Sequence, residues 1–481
     1  MALSRRLVAS LGTAAATTLV VIAAAPVTVL AVPAPAHTAA ARDAASWLAG
    51  EFTDGSLPGP FGGPDWGLTI DGIIALSATG VDTPTRLRAT TQVAAHVRSY
   101  NSYDDWGIAG FTDGGATAKL LYVASAAGAD PTDFGGYDLR AETLSLIAGA
   151  DAGHQRGRIT SRTTAESGPD PSNTFDQSFA VLGLARSGGV PQDAVDFLIR
   201  QQCAAGGFRL YPDTPEGPSP SCDEQPGAVL DVDSTALAVQ ALLAAADVGA
   251  AGAADAARRG ADWLATRQHP DGSFGGSGPT AGANSNSTGL AGQALAAVGR
   301  DAEAAQAAAA VAALQLTAAK VGAAAADAGA IAYNADGLAA AVAAGIADTD
   351  RDQWRRATTQ ALLGLAQVPL GRIGLDPPPT YPGPTPTGTA SPTAAPSGSP
   401  TPTGTATTSP TPSATVTSPS QTPSPAATPP GTAAPGTTPP ATSGLDGLPT
   451  TGTAIASYVL IALLLLGGGV ALLVLGRRRA T

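Results

Sequence analysis

Asp233-Ser234-Thr235-Ala236-Leu237-Ala238-Val239-Gln240-Ala241-Leu242 returns 53 residues further on as Asn286-Ser287-Thr288-Gly289-Leu290-Ala291-Gly292-Gln293-Ala294-Leu295. Weaker copies surround Asp71, Thr117, Gln177 and Asp336, so that six related segments align at 71, 117, 177, 235, 288 and 336, with spacings of 46 to 60 residues. Repetition at such a period marks an architecture of stacked supersecondary units. Each copy is almost wholly small and apolar, with no wet face, and a helix apolar all round is a buried helix.

A second kind of helix precedes each buried one. The stretches 39–50, 83–99, 139–150, 191–202, 253–267 and 302–316 carry their charges on one side, and Gly- and Asp-rich turns such as Asp271-Gly272-Ser273-Phe274-Gly275 separate the two kinds. Six buried helices alternating with six half-exposed ones predict an all-α fold, an α/α toroid over residues 38–367, with a last helix over 352–367 closing the set.

Arg259, Trp263, Leu264, Gln268, Gly272 and Phe274 follow one spacing pattern, and Phe197, Leu198, Gln202, Gly206 and Phe208 follow it again without the leading basic residue. This pattern resembles the repeat of the terpenoid-cyclase and prenyltransferase toroids, a superfamily that includes squalene-hopene cyclases and cobalamin-binding proteins. The resemblance implies the toroid. Asp231-Val232-Asp233-Ser234-Thr235-Ala236 is similar to the D-x-D-D-T-A segment of squalene-hopene-type cyclases, which implies that Asp233 would be the alkene-protonating acid. Ser234 stands where those cyclases have their last Asp. Aromatic residues, which stabilise carbocations by cation–π contact, make up 5% of the chain. The Asp/Cys/His zinc set of the prenyltransferases has no counterpart, and the four histidines are scattered, so no metal or cofactor is expected.

The two ends of the chain carry signals of their own. Leu448-Pro449-Thr450-Thr451-Gly452 precedes an apolar run over 455–475 and the basic Arg477-Arg478-Arg479. The order resembles the LPxTG cell-wall sorting signal of Gram-positive surface proteins, and the resemblance implies cleavage by a sortase after Thr451 and transfer to peptidoglycan. About 20 apolar residues suffice to cross a bilayer core, and arginines stay on its cytoplasmic side. Arg5 and Arg6 open an apolar stretch that ends in small residues, the pattern of a secretory signal peptide over 1–36 cleaved after Ala31 or Ala36. Between 373 and 447 Pro, Thr, Ser, Gly and Ala dominate, an extended and disordered stalk. The expected product is secreted, passes through a membrane-spanning precursor and is held by the wall, with sortase and peptidoglycan as partners. With 24 Arg but only two Lys, and many Ala, Gly and Pro, the chain has the usage of a GC-rich, actinobacterial genome.

Charge and cysteines narrow the function further. The chain carries −12, and because six arginines but only two acids lie outside 38–367, that region alone carries −16. Nucleic acid is repelled by such a surface. Cys203 and Cys222, in a secreted chain, are expected to form a disulfide.

Candidate binding residues follow from the toroid. If the N-termini of the inner helices open on one end, Asp71, Asp176, Asp231, Asp233 and Asp336 converge on a mouth together with the helix dipoles. The plain alternative is capping, since an Asp before an apolar helix accepts hydrogen bonds from its first free N–H groups. The long Pro/Gly-rich loop over 203–230, stapled by the two cysteines, would edge that mouth. Asp104-Asp105-Trp106 reads as a turn followed by a core Trp, with sugar binding by acid and aromatic as the alternative. Asp348-Thr349-Asp350-Arg351-Asp352 lacks the Gly and Glu of a calcium loop and reads as acid at a helix N-terminus. No nucleophile triad is visible. The expectation is a displayed module that binds a small ligand or partner at the mouth. Its alternatives are an enzyme, either cyclase-like or glycan-active with Asp233 as acid, and a purely structural surface protein.

Overall fold

The computed structural model describes residues 37–214 and 217–375. The signal peptide, most of the stalk, the sorting motif and the apolar run over 455–475 lie outside the described residues, among which no helix is long and apolar enough to cross a membrane.

Helices α1 (Thr38–Gly50), α2 (Trp66–Thr79), α3 (Thr83–Ala95), α4 (Val97–Asn101), α5 (Gly114–Ala126), α6 (Leu139–Ser145), α7 (Thr174–Arg186), α8 (Gln192–Arg200), α9 (Val232–Asp247), α10 (Ala253–Ala265), α11 (Ser285–Ala297), α12 (Asp301–Ala313), α13 (Ala335–Ala344) and α14 (Arg351–Ala366) follow one another in the chain. Six of them close a ring: α2 packs on α5, α5 on α7, α7 on α9, α9 on α11, α11 on α14, and α14 returns to α2. Outside it, α3, α6, α8, α10 and α12 each lie against the inner helix that precedes them, while α1 bridges α14 and α2. This is the α/α toroid that the repeat predicts. Among the described residues, strand is confined to two-residue ladders, Phe208–Arg209 with Leu230–Asp231 and Asp213–Thr214 with Gly217–Pro218.

Two expectations need correction. The sixth inner helix is α14, not the copy around Asp336. Helix α13 is an alanine-rich insertion that packs mainly on the 322–327 segment rather than on a ring helix, and its only buried residue is Ala341. Helix α14 buries Trp354, Leu362, Leu363 and Leu365, and Gly364 lets its backbone press on Gly289 of α11, whose Cα lies 2.7 Å from where a β-carbon would stand. Its sequence looks wet because of Arg351, Arg355 and Arg356, yet these pair inside the fold with Glu51, Asp65, Asp327 and Asp352.

The register of α2 is also shifted. A side-chain oxygen one turn into each inner helix accepts a hydrogen bond from an amide of the preceding loop or helix. Leu57 N–H reaches Thr69 at 2.9 Å, the Asn101 amide Thr117 at 2.9 Å, Ile159 N–H Gln177 at 2.7 Å, Phe208 N–H Thr235 at 2.9 Å, Phe274 N–H Thr288 at 2.9 Å and Ile331 N–H Thr358 at 3.0 Å. Residues 69, 117, 177, 235, 288 and 358 are therefore equivalent. Thr69, and not Asp71, corresponds to Thr235, so that Asp71 sits deeper than Asp233.

After α14 the chain turns at Gln367 (φ 53°) and crosses beneath the ring. Tyr122 donates to Leu370 O at 3.0 Å, Gln293 to Val368 O at 2.6 Å, and Leu370 N–H donates to Gln240 at 3.2 Å. The Arg186 guanidinium donates to Leu370 O, Gly371 O and Ile373 O at 3.3, 2.7 and 2.6 Å. One end of the toroid is thereby closed, and the end with the inner N-termini is the mouth.

Candidate active site

Successive positions of the repeat form layers down the axis. Two residues before the marker position stand Gly67, Gly115, Phe175, Asp233, Asn286 and Arg356. Two residues after it stand Asp71, Lys119, Phe179, Leu237, Leu290 and Gln360. Residues four apart share a helix face, so Leu237 lies under Asp233 and Leu290 under Asn286. All six of the deeper layer line a cavity of about 70 Å³, with Ile74, Tyr122 and Leu363 below them and Leu370 of the crossing segment as its floor.

Asp233 is buried in the upper layer, and its Oδ1 makes no hydrogen bond. Burial, with the neighbouring Asp231 charge adding to it and a hydrogen bond from Ser287 opposing it, pushes its carboxyl up to about 7. A buried acid without a cation beside it prefers its neutral form. Asp231 is held differently: it caps α9, taking Ser234 N–H on Oδ1 at 2.6 Å and the Ser277 hydroxyl on Oδ2 at 2.7 Å.

A second acid pair lies between α5 and α7. Asp176 belongs to a capping box with Asn173. Its Oδ1 presses so closely on the first turn of α5 that a β-carbon on Gly115 would come within 1.9 Å of it. Asp113 caps that helix, accepting Ala116 N–H at 2.9 Å. Burial pushes the Asp113 carboxyl up to about 6. Burial, and then the Asp113 charge, lift Asp176 well above the ordinary range. Two acids so placed share protons rather than ionising together.

The rim is aromatic. Trp106 is 52% exposed, Tyr211 59% and Phe61 91%, and each belongs to a loop that leads into an inner helix. Tyr211 feels the charges of both Asp176 and Asp231, and Tyr333 that of Asp233, which raises both phenols after burial. Trp106 is thus not a core residue; it tilts against Tyr103, which stacks on Phe111 with centroids 3.9 Å apart.

The loop over 203–230 edges this mouth as expected. Cys203 and Cys222 are bonded, with Cα atoms 4.9 Å apart. The loop is built around buried Arg209, which donates to Gln201 at 3.0 and 2.7 Å and to Gln225 at 2.5 Å. Arg158 ties it to the preceding loop by a two-pronged pair with Asp213 at 2.8 and 2.7 Å.

Of the acids expected at the mouth, Asp176, Asp231 and Asp233 are there. Asp71 is one turn deeper, in the cavity wall, paired with Lys119 at 2.6 Å. Asp336 is exposed on α13, away from the ring, because the segment that carries it is not an inner helix. Capping, the plain alternative, holds for Asp231 alone among the five, although Asp176 takes part in a capping box. The sequence reading missed Asp113, which stands four residues before Thr117 as Asp231 stands four before Thr235. The same spacing joins Asp65 to Thr69 and Asn284 to Thr288, and it was the available signal. Lys119, Tyr211 and Tyr333 had none.

No family model matches the sequence, and no curated protein matches it. Solved structures with which it shares similarity include an Actinoplanes protein (18% identity, TM-score 0.43, covering 69% of this chain and 99% of that one). The type II terpene cyclase MstE from Scytonema is similar at 15% identity and TM-score 0.45, over 69% of this chain and 98% of that one. The GH76A α-1,6-mannanase of Salegentibacter is similar at 11% identity and TM-score 0.47, over 69% and 99%.

Proposed function

We propose that the toroid is a glycoside hydrolase acting on a neutral glycan, with Asp233 as the general acid. The observation that carries the reading is Asp233 itself: a buried carboxyl raised to about 7, half protonated at neutral pH, with one buried oxygen unpartnered beneath a mouth rimmed by exposed aromatics. A carboxyl that still carries its proton in a large fraction of molecules at neutral pH can donate to a leaving oxygen. The Asp113–Asp176 pair, with one proton between them, supplies the carboxylate. In hydrolysis the bond from the anomeric carbon to the glycosidic oxygen breaks, the Asp233 proton passes to that oxygen, and water adds to the anomeric carbon. The water's proton goes to the Asp113–Asp176 pair. Trp106 and Tyr211 offer flat apolar faces to sugar rings, and the acidity of the region disfavours anionic polymers.

This favours the enzyme alternative over simple ligand binding, because a binding site gains nothing from holding three acids out of their ordinary range. A cyclase-like reaction fits less well: a cavity of about 70 Å³ holds roughly five waters on the requirement of about 10–15 Å³ each, too little for a polyprenyl chain.

The test is turnover. Neutral gluco-, manno-, galacto-, arabino- and chitohexaoses, labelled at the reducing end, are incubated with the purified protein. Cleavage of at least one is expected, with kcat/KM rising through pH 6 and falling above pH 7. Asp233→Asn should lower it at least a hundredfold. A rate unchanged by that substitution would overturn the assignment.

The site is further proposed to be displayed on the cell wall through Thr451, a reading supported by the ordered LPTTG motif, apolar run and basic tail. Digestion of walls with a muralytic enzyme should release chains that end at Thr451 bonded to peptidoglycan fragments. Chains ending at Thr481 in the membrane fraction alone would exclude it.

A further inference from the structure

We infer that the axial cavity is a blind pocket for a single terminal unit of the glycan, gripped by the Asp71–Lys119 pair, so that the enzyme trims chains from one end. The inference rests on the hydrolase reading of the same site. The cavity begins directly beneath the acid layer, with Leu237 one turn under Asp233, and it cannot continue, because Leu370 closes it from below. Leu370 is itself held from three sides, by Tyr122, Arg186 and Gln240. A chain threaded past the acids would meet this floor after one unit.

The wall chemistry suits a sugar rather than a purely apolar group. Phe179, Leu237 and Leu290 give apolar faces, while Asp71 and Lys119 interrupt them at the same level. Lys119 is almost fully buried, but the Asp71 side chain remains 23% exposed. Lys119 holds Asp71 by one oxygen, Oδ1, and the carboxylate is thereby fixed as an acceptor for a hydroxyl of the bound unit. Gln360, oriented by the Asn286 amide at 2.6 Å, lines the same layer.

The labelled hexaoses decide the matter, because the unlabelled end is the one free to enter. With wild-type protein the first labelled product should be the pentaose. Leu290→Phe fills the pocket from its partly exposed wall and should lower kcat/KM at least tenfold with the melting temperature within a few degrees. Leu237→Phe serves if that variant folds poorly. Labelled di- and trisaccharides appearing first, or a rate within twofold of wild type in the filled variant, would overturn the pocket while leaving the hydrolase reading standing. If no hexaose is cleaved, the hydrolase reading fails on its own. The pocket is then judged by saturation-transfer NMR with the corresponding monosaccharides: binding lost in Leu290→Phe supports it, and no binding to wild type refutes it.

Discussion

Asp233 shows how one residue can serve folding poorly and chemistry well. Its position at the second residue of α9 would suit a carboxylate, which the helix dipole favours, yet burial without a cation outweighs the dipole and raises its carboxyl to about 7. Because its carboxyl is raised above the value in the unfolded chain, the folded state holds the extra proton. Stability is therefore full below about pH 4 as far as this group is concerned and falls as pH rises through about 7. Asp113, raised to about 6, adds to the loss between about pH 4 and 6. Asp233→Asn removes the ionisable group and should make the protein more stable than wild type at pH 8, by up to a few kcal/mol, with little change at pH 4. Thermal melts of both proteins from pH 4 to 8 check this; parallel curves would show that Asp233 is not buried in neutral form.

A second residue-scale consequence concerns Gly115. A methyl there would collide with Asp176 Oδ1, so Gly115→Ala should displace that carboxylate and lower activity at least tenfold. Stability should fall by only about 1–3 kcal/mol, the usual cost of overpacking. Activity within twofold of wild type would mean that Asp176 is not part of the machinery.

At the level of elements, the exchange of α13 for α14 is the main lesson. Segment 335–344 matches the repeat in its small apolar residues, whereas α14 carries three arginines in its first two turns. Composition therefore points to the wrong helix. Arg356 bridges Asp65, the cap of α2, at 2.5 Å and Asp352 at 2.8 Å, and this is how the last inner helix locks to the first. Arg356→Ala leaves two half-buried carboxylates unpaired and should cost about 3 kcal/mol, whereas Asp336→Ala on α13 should stay within about 0.5 kcal/mol of wild type. Urea melts of the two variants compare them directly. Equal effects would return α13 to the ring.

The whole molecule is a ring with a floor. The segment 367–375 is not part of any repeat, yet it closes the axis. Arg186 satisfies three of its carbonyls at once. Arg186→Ala should destabilise the protein by about 3 kcal/mol, since charge-assisted bonds contribute about 1.5–3 kcal/mol each and do not add fully. It should also expose the 367–375 segment to proteases, seen as new cleavage within it on a limited digest. A digest identical to wild type would place the floor's stability elsewhere.

What the sequence determined by itself was the repeat, and with it the toroid. Period and patterning are local properties: an all-apolar helix has to be buried and a one-sided helix has to cover it, wherever the chain goes. The cysteine pairing was legible for a similar reason, since a chain with two cysteines has one intramolecular choice. Three of the five mouth acids followed from their place at helix starts. Only the tertiary structure decided which helix closes the ring, that Asp71 lies a turn below Asp233, and that Lys119 meets it. Those facts depend on depth along an axis that no one helix defines. The raised carboxyls belong to the same class, because desolvation comes from neighbours brought together by the ring, and a sequence records the acid but not the water it has lost.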